Sequence, residues 1–402
     1  MRILVLSSAT PYPPHGGGYA RMYAILRHLA RDHAVDLLAL ARPADLAHRG
    51  ALERVCRRVH LLPAPTPPAG LRRWAAALKH LVRLQAYPVD PGIARRVEGI
   101  LQDGYDVIQV ENVYMMPYVR RVRDAARALD IFGLGSAGLW RDVRAATGPV
   151  AVLRAAVTRL KAKRVERSLR SRFDAVYVVS EQDRAYLTSV DPRLPVHVVP
   201  NGVDTRHFAP APEPTQPPVD LVFTGAMDYT ANEDAVLFFH RAIYPRIRDR
   251  LGEARFWVVG RDPGPRLAAL AADPTITVTG EVEDVRPYLA RATVVVAPIR
   301  LGAGTRIKIL EALAMAKAVV ATPAAAEGLR LVPGEELVVA AAPEAFADAG
   351  VRLAGDAAAR QRLGRAGRAR VEAEYDWEIT LAPLTRAVAG LAGRRPSDTW
   401  AR

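Results

Sequence analysis

Cysteine is almost absent. Cys56 stands alone in 402 residues, which excludes an intrachain disulfide framework and a cysteine-rich metal site and fits a reducing compartment. No apolar run approaches the roughly 18 residues a membrane-crossing helix needs. The opening MRILVLSS is too short for a signal-peptide core and leads toward a glycine turn, so it reads as a first strand and points to the cytoplasm. Acidic residues are in deficit: 42 Asp and Glu against 56 Lys and Arg leave a net charge of +14 and a pI near 10.2. That excess asks for an anionic partner, whether nucleic acid, an anionic membrane surface or a phosphorylated substrate. Much of it is arginine in an alanine-rich, lysine-poor chain, a composition that base usage in the genome can also produce. Nucleic acid is the weakest of the three, because the basic runs lack interleaved aromatics and no reading module is visible.

Half of the residues are hydrophobic, enough for two domains with full cores. Buried apolar runs alternate with helical patterns throughout, the mark of a doubly wound α/β chain. The most informative stretch is TVVVAPIRLGAGTRIKILEALAMAKAVVATPAAAE, residues 293–327. It reads as a strand at 294–296, a glycine loop with Gly302 and Gly304, a helix from 305 to about 316, and a second strand at 319–320. In such a unit a ligand sits at the strand's carboxyl end, where unpaired N–H groups and the helix dipole favour an anion. Arg306 and Lys308, in the expected first turn, oppose the dipole unless an anion is bound there. Two phosphates of a nucleotide diphosphate would meet that need. Glu311 shares the face of Lys308 three residues on, and a carboxylate suits a pair of ribose hydroxyls. On spacing alone, a surface Lys-Glu pair behind a glycine entry reads equally well.

The string GTRIKILEALAMAKAVVAT with the following AEGL resembles the donor-site signature of family 4 of the nucleotide-sugar glycosyltransferases. The resemblance implies the GT-B fold, α/β with two facing Rossmann-like doubly wound domains and a C-terminal helix that crosses back to the first. It also implies that Arg306 and Lys308 bind the donor pyrophosphate and Glu311 the ribose. Many members carry an earlier glutamate, with seven residues between the two, that contacts the donor sugar. Ala303 holds that position here, so sugar contacts are expected from backbone amides over Gly302, Ala303, Gly304 and Thr305.

In the first half, a strand at 3–6 leads to YPPHGGGYARMYAILRHLA, whose Gly16, Gly17 and Gly18 would let a ligand approach the backbone. The loop is not GxGxxG, and no acidic residue ends the second strand at 35–40, which disfavours a dehydrogenase. The segment resembles the opening of family 4 enzymes, where this loop borders donor phosphates and acceptor. Further strands are expected at 106–110 and 128–132. The resemblance places a histidine near the second of these, where this chain has Asp130, Ile131, Phe132 and Gly133. Asp130 is thereby a catalytic candidate, although a strand carboxylate can be purely structural. Residues 71–87 form a basic amphipathic pattern around Trp74, Arg72, Arg73, Lys79 and Arg83, either a core-facing helix or a membrane-surface one. A second basic segment covers 154–172.

A strand at 175–180, a helix from Glu181 and a strand at 196–199 precede PNGVDTRHF, which again resembles the family where its first domain closes. The expected organisation is an acceptor domain over 1–205 completed by about 378–402, a proline-rich linker over 206–218, and a donor domain over 219–377. There a strand at 220–224 leads to Gly225, a second phosphate-loop geometry. The strands at 256–260 and 276–280 end in turns where the family places contacts to the base. The reading is a retaining, hexosyltransferase-type enzyme acting on a glycan or lipid-linked acceptor in cell-surface polysaccharide assembly, cytoplasmic and peripheral to the membrane. No Asp-x-Asp pair ends a strand, so no metal or other cofactor is expected, and the nucleotide sugar is a co-substrate. Two alternatives stay open. One is a non-catalytic nucleotide-sugar-binding or assembly protein. The other is a GT-B nucleotide-sugar epimerase, for which His15, Glu111 and Asp130 are the available acid/base groups.

Overall fold

The computed structural model describes residues 1–14, 16–65, 89–132, 149–210, 219–302 and 304–392. Several expectations lie outside these residues: the basic amphipathic pattern at 71–87, the glycine turn at 133–135, most of the proline-rich tract, His15 and Ala303. The chain divides into two units, one made of Met1–Pro200 and Leu381–Arg402, the other of Asn201–Thr380.

The first unit is a seven-stranded sheet of β1 (Arg2–Ser7), β2 (Ala34–Ala41), β3 (Arg58–Pro63), β4 (Val107–Glu111), β5 (Ala126–Ile131), β6 (Ala175–Val178) and β7 (Val196–Val198). Its order is β3-β2-β1-β4-β5-β6-β7 and every pairing is parallel. β1, β4 and β5 are buried along nearly their whole length on both faces, the burial that a parallel sheet covered by helices imposes. That is why they are continuous apolar runs in sequence. The helix Gly17–Asp32 turns Arg21, Met22, Ile25, Leu26 and Leu29 inward, one stripe at helical spacing. At the chain's end the helix Ala382–Ala389 belongs to this unit, with Leu384, Ala387 and Val388 buried and Thr385 Oγ1 2.7 Å from His28 Nε2.

The second unit is a six-stranded parallel sheet of β8 (Val219–Thr224), β9 (Ala254–Val259), β10 (Ile276–Val278), β11 (Val294–Ala297), β12 (Val319–Ala321) and β13 (Val338–Val339), in the order β10-β9-β8-β11-β12-β13. Its core gathers Phe239, Tyr244, Phe256 and Phe346, whose rings meet edge-on, tilted or stacked. The central helix is shorter than the sequence pattern predicts, Ile307–Ala314 rather than 305 to about 316. Gly302 and Gly304 hold positive φ and keep the loop open, Arg306 is the N-cap in an extended conformation, and Ala316 at φ 54° closes the other end.

Phe256 is fully buried, 4.6 Å from the Phe239 ring centroid. Phe256→Ala is expected to destabilise the second unit by about 3–5 kcal/mol, read as a lowered calorimetric transition. A change within experimental error would mean that this cluster does not hold the unit.

Candidate functional site

In the second sheet the connections run outward from the centre in both directions, β8 to β9 to β10 on one side and β11 to β12 to β13 on the other. The loops after β8 and β11 therefore part from each other, leaving a crevice at the carboxyl ends of the two strands where ligands of such sheets bind. Every donor-site residue expected from sequence and described in the structure lies on these two loops or on the helices that follow them.

Lys308 is the second residue of the Ile307 helix. Its Nζ lies 3.8 Å from the Phe223 ring centroid and donates to Asn232 Oδ1 at 2.8 Å. Asn232, in the first turn of the helix Thr230–Phe238, is oriented by its own Nδ2 donating to the Ala226 carbonyl at 2.8 Å. Gly225 permits this approach: a Cβ there would stand 2.8 Å from both Asn232 Nδ2 and Lys308 Nζ. Gly260, just beyond β9, packs on it more tightly still, since its Cβ would meet the Gly225 carbonyl oxygen at 1.8 Å. Gly302, at φ 78°, leaves room for Tyr229 Oη and the Arg306 guanidinium. Arg306 is buried and its Nη2 donates to the Leu301 carbonyl at 3.0 Å. Thr305 Oγ1 accepts from Asn201 Nδ2 at 2.7 Å.

The electrostatics of the two helix side chains are unusual. Burial first, and then the charge of Arg306, lower the Lys308 ammonium well below the usual lysine range, with Glu311 only partly opposing. Burial pushes Glu311 up to about 7 against the pull of Lys308. Lys308 and Glu311 are the two half-buried members of a helix whose other side chains all face the core. Among the described residues no carboxylate forms an ion pair with Lys308. A diphosphate at the helix's amino end would accept from Lys308, Arg306 and the free N–H groups at once, leaving Glu311 to accept from hydroxyls. No group of three or more metal-ligating His, Cys, Asp or Glu side chains occurs among the described residues.

The first unit repeats the switch point between β1 and β4. Of the expected glycine loop, Gly16 is the N-cap at φ 94°, whereas Gly17 and Gly18 fall inside the helix. A Cβ on Gly18 would sit 3.1 Å from the ring of Phe132, the residue where the family resemblance leads one to expect a histidine. Asp130 has no exposed surface, and both carboxylate oxygens accept from Arg21, at 2.7 Å from Nε and 2.6 Å from Nη2. In this structure both of its oxygens are thus engaged by Arg21. Asn232, Asn201, Tyr229 and Arg21 were not singled out from sequence. Only Arg21 carried a signal there, as a charged residue in an apolar helical stripe.

Two family models match the chain, "Glycosyl transferase 4-like domain" over residues 16–202 and "Glycosyl transferases group 1" over 218–356. No curated protein sequence matches it. Among solved structures it is similar to sucrose-phosphate synthase from Thermosynechococcus elongatus, with 19% identity, 97% of this chain and 99% of that one covered, and a TM-score of 0.74. Anabaena HepE in complex with UDP-glucose matches at 14% identity over 97% and 100% of the chains, TM-score 0.69. S. aureus TarM with UDP and α-GlcNAc-glycerol matches at 10% identity over 98% and 100%, TM-score 0.70. These likenesses establish the two-domain GT-B fold.

The charge arrangement gives a signed pH dependence. Above pH about 7, where Glu311 is ionised, a bound diphosphate raises the depressed pKa of Lys308, so binding takes up protons and weakens as pH rises. Calorimetry of nucleoside diphosphate binding in buffers of differing ionisation enthalpy reads both effects. Proton-neutral binding with a flat pH profile would remove Lys308 from the anion site.

Proposed function

Because the chain belongs to the family 4-like GT-B glycosyltransferases, we propose that it moves a hexosyl unit from a nucleotide-diphosphate sugar to a glycan or lipid-linked acceptor, with retention of anomeric configuration. The observation that carries the donor assignment is the desolvated Lys308 beside Arg306 at the amino end of the Ile307 helix, with Glu311 on the same face. Uracil is the base of first choice, supported by the UDP and UDP-glucose bound in similar structures.

As the glycosidic bond breaks, negative charge grows on the departing diphosphate. Lys308, Arg306 and the helix terminus are already oriented at that position and meet the charge without reorganisation. They do so without a metal in this reading. Glu311 holds the ribose, and backbone amides around Gly302 and Thr305 face the sugar. The departing phosphate takes the acceptor's proton on the face it leaves, a route to retention that asks for no enzymic nucleophile and is compatible with Phe132 in the first unit.

Cell-surface polysaccharide assembly at the cytoplasmic membrane's inner face is the setting we infer. It is supported by the net charge of +14 and by the helix Pro149–Arg167, where Leu153 and Leu160 are exposed at 58% and 59% on a helix that also carries Lys163, Arg164 and Arg167. No helix among the described residues is long and apolar enough to cross a membrane.

Two measurements test the reading. Lys308→Ala is expected to lower kcat/KM for the cognate nucleotide sugar by about 2–4 kcal/mol, with chelators leaving the wild-type rate unchanged. An undiminished rate in the variant rejects the phosphate site. For the membrane, binding to anionic vesicles should fall with added salt, and equal binding to neutral vesicles rejects the docking.

A further inference from the structure

The first unit buries a second group of ionisable side chains that the donor site does not use. Register places Ser7, Glu111, Asp130 and Tyr177 side by side on β1, β4, β5 and β6, and registered neighbours project to one face of a sheet. Arg21 reaches that row from the Gly17 helix with no exposed surface. Its Nε and Nη2 grip Asp130, and Nη1 donates to the Pro200 carbonyl at 3.2 Å. Glu111 is equally buried, and its Oε1 accepts from Gln109 Nε2 at 3.2 Å while its Oε2 meets no donor.

We propose that Arg21, gripped by Asp130 and backed by Glu111, is a positioning residue for sugar transfer that fixes the amino end of the Gly17 helix, and Gly16 with it, at the carboxyl ends of β1 and β4. The inference rests on the reading of this unit as the acceptor domain. Arg21 lies little more than one turn into the helix, so its side chain determines where that turn sits relative to the strand ends. Lysine could supply the charge but not the planar two-bond fork on Asp130 together with the bond to Pro200.

The row requires a particular charge state. Two buried carboxylates share one guanidinium, and a second uncompensated charge away from water is costly. Burial first, then the charge of Asp130, push Glu111 well above the usual carboxylate range, while Arg21 and Gln109 pull it down only in part. Tyr177, facing from β6, is itself pushed up by burial and by both carboxylates, so it supplies no countercharge. Burial and the neighbouring charge of Asp130 thus favour the protonated form of Glu111. A group with a raised folded-state pKa stabilises fully at acid pH, and that contribution is lost as pH rises through the raised value.

Three variants of the full chain test the proposal. Arg21→Lys is expected to lower kcat at least tenfold while the thermal shift given by nucleoside diphosphate stays at the wild-type value. Amide exchange over the first turns of the Gly17 helix should quicken. Glu111→Gln, which copies the protonated carboxyl, is expected to fold and transfer sugar at neutral pH and to lose the fall in melting temperature with rising pH that is expected of the wild type. Glu111→Ala should not recover either property. Wild-type kcat and exchange in Arg21→Lys, or a fall in melting temperature with pH in Glu111→Gln equal to that of the wild type, overturns the proposal. If wild type transfers no sugar from any UDP-, GDP- or ADP-sugar, the acceptor-domain reading fails; the exchange and melting measurements still decide whether the clamp exists.

Discussion

An ammonium group held against an aromatic ring and short of water is costly to keep charged, and the second unit is organised around that cost at Lys308. Phe223 gives the ammonium a π face, Asn232 gives it one oxygen, and Gly225 gives both of them space. None of these supplies a countercharge. Arg306 adds a like charge close by, and Glu311 is itself too desolvated to be a full anion at neutral pH. The site thus gathers positive charge with little countercharge of its own, which suits the diphosphate of the proposed donor. A transferase gains from that arrangement because the charge it must stabilise increases along the reaction.

The first unit shows the opposite solution. Arg21 has no exposed surface, but it is matched by Asp130, and burial and the charge of Asp130 push the carboxyl of Glu111 beside them well above the usual range. One unit thus pairs its buried guanidinium with a carboxylate, whereas Lys308 in the other has no ion pair among the described residues. The contrast separates a rigid support from a binding surface in two sheets of similar topology.

Much of this was legible in the sequence, for physical reasons. Strands buried on both faces must be unbroken apolar runs, so β1, β4, β5, β8 and β11 stood out. β3 did not, because Arg58 and His60 interrupt the edge strand RVHLLP. The helix boundary at Ile307 was misplaced by two residues, since helical periodicity does not register that Gly302 and Gly304 hold the backbone at positive φ. The anion-binding trio of Arg306, Lys308 and Glu311 was readable because its members are near neighbours in sequence. Their supports were not. Asn232 is 76 residues from Lys308, Asn201 is 104 from Thr305, and Asp130 is 109 from Arg21. Only folding brings such pairs together, and an asparagine in a helix's first turn looks like any other polar residue there.

The contact between Gly225 and Gly260 limits how this site can diverge. Two loops that border the ligand crevice interlock backbone to backbone, and each is already the smallest residue available. A mutation at either position has no compensating partner, because the other has nothing left to give up. Variation at this point of the crevice is left to the side chains that flank the lock. Asp228, Tyr229 and Arg261 are those residues, with Arg261 paired to Asp228 at 3.5 Å. The scaffold of the site is in that sense frozen, and its selectivity is left to a few neighbours.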